Sequence, residues 1–206
     1  MSAREGRKER ERALRRELLL QAAERVFGRK PFDEAAMQEV VAEAQIGMQG
    51  LYEHFPSKQA LYEALILARA REFQARVEAA LEALKDPLEQ LRALIRVKVT
   101  LFRERPDFYP VFVKERVQWE WRLTSRSTEA FVEIYESERR RLKAILERAV
   151  RQKRLRPLEP EFLAQLCIES LQATLLFVAR HRPDEEVERC VDRALEFFLR
   201  GAGTAE

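Results

Sequence analysis

The stretch from Phe27 to Leu61, FGRKPFDEAAMQEVVAEAQIGMQGLYEHFPSKQAL, constrains this chain more than any other. Met37, Val40, Val41 and Ala44 recur at i, i+3, i+4 and i+7, the buried face of a short helix. Three residues later a second short segment runs from Gly47 to Tyr52, too short to be stable by itself. Two short helices joined by a tight turn, with a longer helix on each side, read as a helix-turn-helix. That pattern points to double-stranded DNA as a partner.

The rest of the chain is helical as well, so the expected class is all-α. Only six glycines and eight prolines occur in 206 residues, and no run alternates apolar and polar residues with β-branched enrichment. The prolines punctuate nine helical segments. The first spans about Arg7 to Arg29, with Leu19, Ala22, Ala23, Val26 and Phe27 as its inner stripe. Ser57 is a good N-cap for a fourth segment reaching Lys85, and Asp86-Pro87 opens a fifth. Pro106-Asp107 starts a short sixth that breaks near Pro110, and the seventh ends by Arg156. Glu159-Pro160 opens the eighth and Pro183 the ninth.

The eighth segment is apolar on nearly every side, so a helix packed inward on one face needs a second surface for the other. With the ninth it suits an isologous four-helix interface in a homodimer, with Leu175, Phe177, Val191 and Phe198 as candidate contacts. The bland alternative is a fully enclosed core helix in a monomer.

Charge is unevenly placed. Residues 1–16 carry seven basic groups, Arg7 and Lys8 among them, against three glutamates, whereas residues 31–60 carry one lysine against five acids. A recognition region of net negative charge must borrow its phosphate attraction from the basic first helix. Gln49 is the best base reader, since its amide pairs with adenine N6 and N7. Glu53 either accepts from a cytosine amino group or is a solvated surface residue. Lys58, at the start of the fourth segment, is a candidate phosphate clamp, with a solvated cap lysine as the plain alternative.

Catalytic chemistry is not indicated, and no cofactor or metal site is expected. His54 and His181, the only histidines, lie far apart with no carboxylate or cysteine at ligand spacing. No glycine-rich phosphate loop or nucleophile motif occurs. Cys167 and Cys190 sit in apolar helical patterns and read as small buried thiols rather than redox partners. No signal-peptide core is present, and the longest uncharged run, Ser170 to Ala179, is too short to span a bilayer. A cytoplasmic protein with no membrane partner is the expectation.

The middle third is rich in aromatics, including Phe102, Phe108, Phe112, Trp119 and Phe131. They suit either a pocket for an apolar or amphipathic ligand or a well-filled core.

LYEHFPSKQAL, Leu51 to Leu61, resembles the signature that closes the DNA-binding domain of the tetracycline-repressor (TetR) family, and ELLLQAAERVF, Glu17 to Phe27, resembles that family's first helix. The resemblance implies a helix-turn-helix domain over about residues 1–55 and a ligand-binding and dimerisation domain over about 56–206. It implies that Tyr52 and His54 donate to phosphate. It also implies that the fifth to seventh segments surround an inducer that releases the DNA. A fatty acid or acyl thioester is the most economical class, with the basic run near Arg151 available to an anionic head group. The chain departs from the family at several points. Gln45 replaces a turn glycine and Pro31 a glycine after the first helix. Ala35-Ala36 stand for a hydroxyl pair, Gly47-Met48 for Ser-Lys and Gln49-Gly50 for Gly-Thr. The competing expectation is therefore a helical ligand-binding or structural homodimer that no longer recognises a sequence.

Overall fold

The computed structural model describes residues 3–120 and 129–202, with side chains over 6–117 and 129–201. Nine helices make up the described chain: α1 Ala3–Arg29, α2 Met37–Ala44, α3 Met48–His54, α4 Lys58–Leu81, α5 Pro87–Glu104, α6 Phe108–Glu120, α7 Glu129–Arg151, α8 Pro160–His181 and α9 Val187–Ala202. No strand occurs among the described residues. They gather into two compact units, Met1–Arg69 with Arg105–Phe131, and Ala70–Glu104 with Val132–Glu206.

Local chemistry sets most of the boundaries. The Ser57 hydroxyl accepts the Ala60 amide at 3.1 Å, capping α4. Asp86 Oδ1 accepts the amides of Leu88 and Glu89 at 2.9 and 3.0 Å, and Pro87 follows at the first helical position, where its missing N–H costs nothing. Pro160 does the same for α8. Three expectations need correcting. The helix α6 is not broken at Pro110, because Pro110 falls in its first turn, where the amide has no intrahelical partner. The helix α4 stops at Leu81 rather than Lys85, and α9 begins at Val187 because Pro183 and Asp184 form a turn that Glu185 closes by donating to Arg182 O.

In the first unit the apolar stripe of α1 meets Val40, Leu51, Phe55, Leu61 and Leu65, all at most 2% exposed. Beside this core lies a buried ion cluster. Arg69 donates to Glu24 at 2.7 Å and Glu17 at 3.0 Å, and Arg105 lies 3.5 Å from Glu24. Burial works against the Arg69 charge, but the two carboxylates outweigh it and hold the guanidinium above its ordinary range. The start of α6 comes very close to α1: a Cβ on Gly28 would lie 2.3 Å from the Asp107 carbonyl oxygen, so only glycine permits this approach.

In the second unit α8 packs on α9 and α5. Leu163, Cys167, Leu171, Leu175 and Val178 line its inner face, all at most 3% exposed. The thiols of Cys167 and Cys190 are free and buried, and desolvation pushes Cys167 up to about 12, which leaves it protonated and unreactive.

The turn between α2 and α3 is strained. Gln45 takes φ 55° and ψ 36°, the left-handed region that favours glycine, and its amide closes α2 on Ala42 O at 3.3 Å. Gln45→Gly should raise stability by about 0.5–1 kcal/mol, the relieved side-chain strain less the extra freedom given to the unfolded chain. Gln45→Val should lower it. Urea midpoints that leave both variants level with the parent would contradict the strain argument.

Candidate nucleic-acid interface

The surface that α3 presents follows from its length. Seven residues do not hold a helix in water, so α3 depends on the burial of Leu51 and the following Phe55, 0% and 2% exposed. The opposite side is then solvent-facing: Gln49, Tyr52 and Glu53 are exposed and His54 half-buried. The Gln49 amide donates to Glu53 at 3.2 Å, a one-turn pair on open surface that a base edge can displace.

The first turns of α1 flank this face. Lys8, Glu11, Arg12 and Arg15 of α1 and Glu53 and His54 of α3 line one open groove, and the Arg16 guanidinium lies 5.3 Å over the Phe55 ring. The basic arm from Ala3 onward is thus a helical continuation of α1. Lys8, Arg12 and Arg15 stand at i, i+4 and i+7, so the spacing that assembles the groove is legible, although Arg12 and Arg15 are not singled out by sequence reasoning. Arg7 is exposed and paired with Glu11 at 3.0 Å. Burial first, then the nearby Arg12, Arg16 and Arg15 charges, hold His54 below its ordinary value, with Glu53 acting in the opposite sense.

Two of the five acids of residues 31–60 are paired with cations within the unit. Glu43 receives Arg25 at 2.6 Å and Arg29 at 2.7 Å, and Glu39 receives Lys30 at 2.5 Å, all from α1 and the residue after it. Hydrogen bonds from these cations lower both carboxyls. Glu39 also accepts the Ala36 amide at 3.0 Å, which is half of a capping box; the other half needs a hydroxyl that Ala36 lacks.

Lys58 is not a free phosphate clamp. Its ammonium donates to the carbonyls of Phe32 at 2.7 Å and Ala35 at 2.9 Å, with Asp33 O at 3.4 Å, and lies 4.6 Å over the Phe32 ring. Those carbonyls belong to the loop between α1 and α2, so Lys58 fastens that loop to the start of α4.

The other expected sites divide. Phe108 and Phe112 stand together on α6 with ring centroids 6.4 Å apart. Phe131, 3% exposed, belongs to the same unit, whereas Phe102 belongs to the second, and Trp119 lies outside the described side chains. Much of the basic run of α7 and the segment after it is engaged: Arg139 and Lys143 with Glu161, Arg141 with Glu78, Arg148 with Gln90, Arg151 with Glu147, and, beyond the helix, Arg154 with Asp86. Leu175, Val191 and Phe198 are enclosed in the second unit's own core, so only Phe177 of the four expected contacts is exposed. Sequence reasoning did not single out as contacts Phe162, Leu166 and Leu176, which share the exposed side of α8 with Phe177, nor the exposed Phe197 of α9.

Residues 19–65 match the family model for bacterial regulatory proteins, tetR family, and residues 120–201 match that for the AefR-like transcriptional repressor C-terminal domain. The chain belongs to the TetR family. Among its relatives is nucleoid occlusion factor SlmA of Vibrio vulnificus (strain YJ016), 25% identical over 151 residues, which are 70% of this chain and 76% of SlmA. The fold is that of the ketosteroid transcriptional regulator KstR2 of Mycobacterium tuberculosis, with a TM-score of 0.75 at 20% identity over 93% of this chain and 96% of that one. A TetR-like regulator from Rhodococcus sp. RHA1 gives a TM-score of 0.72 at 25% identity, over 92% and 96%. TetR-family architecture thus places a DNA-binding helix-turn-helix in this chain and a ligand-binding region beyond it.

A phosphate bound in this groove would make the contact at His54 proton-dependent. A phosphate in the groove favours the imidazolium that burial and the arginines disfavour, so binding takes up a proton in the window below about pH 6.5. Affinity should therefore rise as pH falls through that window, and His54→Gln should flatten the slope. An unchanged slope in the variant, read by fluorescence anisotropy on a DNA duplex, would remove His54 from the phosphate contacts.

Proposed function

We propose that this TetR-family protein is a transcriptional repressor that binds operator DNA as a homodimer and is released by an apolar or amphipathic small molecule. The observation that carries the reading is the exposed α3 face beside the basic groove of α1, with the acids of α2 already paired away from it. Gln49 is the base reader, Tyr52, His54, Arg12 and Arg15 hold phosphates, and residues 1–55 act as the DNA-binding part.

The twin chain is met by the outer face of α8. Phe162, Leu166, Leu176 and Phe177 are 42–53% exposed along one stripe, and Phe197 of α9 is 72% exposed. So large an apolar surface fits an isologous contact, and binding to successive major grooves then requires the two α3 helices about 34 Å apart. The inducer is an apolar body held by residues 56–206, with a fatty acid or acyl thioester as the class to test first. It favours an arrangement of α4 that moves the two recognition helices off that spacing, and linkage requires it to bind the released form more tightly.

The first experiment is a gel shift on the DNA upstream of the protein's own gene, in the presence and absence of palmitoyl thioester. Retarded DNA that the thioester frees is the expected result, with Gln49→Ala relaxing preference at one base pair in each half-site. No retardation at low salt would favour the alternative, a helical homodimer without sequence recognition. Loss that is equal on operator and random DNA would exclude Gln49 as a reader.

The second experiment is sedimentation. Leu176→Glu or Phe177→Glu should give a folded monomer, because each places a charge in the proposed contact while the inner core residues stay untouched. A wild-type monomer at micromolar concentration would end the dimer proposal.

A further inference from the structure

The interface described above ends at α4, yet α6 is built into the same compact unit as the helix-turn-helix. Its points of attachment are polar and specific. Tyr62 Oη donates to Glu115 Oε1 at 2.6 Å, with the tyrosine 3% and the glutamate 1% exposed. The Tyr62 ring meets Phe27 and Phe32 edge-on, each with centroids 5.0 Å away. Phe32 lies under the Lys58 ammonium, which holds the carbonyls of the loop leading into α2. The Gly28 approach to Asp107 and the Glu24–Arg105 pair fix the start of α6 to α1.

A buried carboxylate is a costly way to fill space. A phenylalanine and a leucine in the places of Tyr62 and Glu115 would pack at less desolvation cost, but would not define one orientation of α6 on α4. The polar pair does, because the hydrogen bond fails when either helix turns or slides by a fraction of its length.

We infer that Glu115 is a positioning residue for DNA recognition: by accepting the Tyr62 hydroxyl it holds the Tyr62–Phe32–Lys58 relay, and with it the entry loop of the helix-turn-helix, in the DNA-competent arrangement. This rests on the DNA-binding reading above. It makes α6, which carries Phe108 and Phe112, a direct setter of recognition geometry rather than a bystander.

The test compares Tyr62→Phe, Glu115→Ala and Glu115→Gln, the last of which keeps an oxygen acceptor for the tyrosine. Binding to the upstream DNA should weaken about 5- to 10-fold in the first two, the effect of one lost hydrogen bond, and stay within about twofold in the third. Amide exchange should quicken over residues 31–55 in Tyr62→Phe and Glu115→Ala, while α8 keeps its protection. A purely structural role predicts rescue by neither affinity nor local exchange, only a lower melting temperature common to all three variants. Wild-type affinity in Tyr62→Phe and Glu115→Ala overturns the inference. If even the wild-type protein fails to bind the DNA, the regulator reading falls instead, and the exchange arm alone decides: unchanged protection over 31–55 in Tyr62→Phe overturns the relay.

Discussion

The recognition helix cannot hold itself. With seven residues in α3 and eight in α2, neither element supplies enough internal hydrogen bonding to offset the entropy of nucleation. Both exist because Leu51, Phe55, Val40 and Met37 are withdrawn from water against the stripe of α1. Everything at the DNA-facing surface therefore inherits its geometry from apolar contacts on the reverse side. The polar features add orientation to that packing. The Lys58 ammonium fixes the entry loop, the Arg69 cluster anchors α1 to α4, and the Gly28 approach brings α6 within backbone distance.

Electrostatics resolves what composition leaves as a conflict. Residues 31–60 are acidic, which opposes DNA binding if read as a uniform field. In three dimensions Glu39 and Glu43 face the C-terminal end of α1, where Arg25, Arg29 and Lys30 meet them. The opposite end of the same helix carries Lys8, Arg12 and Arg15 beside α3. One helix thus does two jobs with like residues: its late cations cancel charge and its early ones offer it. Summed charge does not distinguish these roles, whereas position along α1 does.

The fold was legible wherever a short-range interaction decides it. Ser57, Asp86-Pro87 and Glu159-Pro160 mark helix starts because a cap acts on amides two or three residues away. Pro110 was misread because proline blocks a helix interior but not a first turn, and which of these it meets depends on where α6 begins. The engagement of Lys58 is invisible in the sequence for a different reason. Any exposed ammonium near a helix N-terminus looks available to phosphate, and the carbonyls that claim it lie more than twenty residues earlier in the chain. On α8 the pattern correctly predicted two apolar faces, yet not which would turn inward. Leu175 and Phe177 are equally apolar, and only the positions of α5 and α9 separate them.

The caps of α2 have a consequence beyond their own turn. At its start no side chain supplies the missing acceptor, and at its end a glutamine holds a backbone conformation it resists. The element next to the reading head is thereby held by burial and by its ion pairs to α1 rather than by its own caps. Such a segment opens and recloses more readily than the core behind it. Any opening of it that a duplex must reverse is subtracted from the affinity. Softness of this kind tolerates imperfect targets: a DNA-binding element so built trades tightness on one sequence for breadth across several related ones.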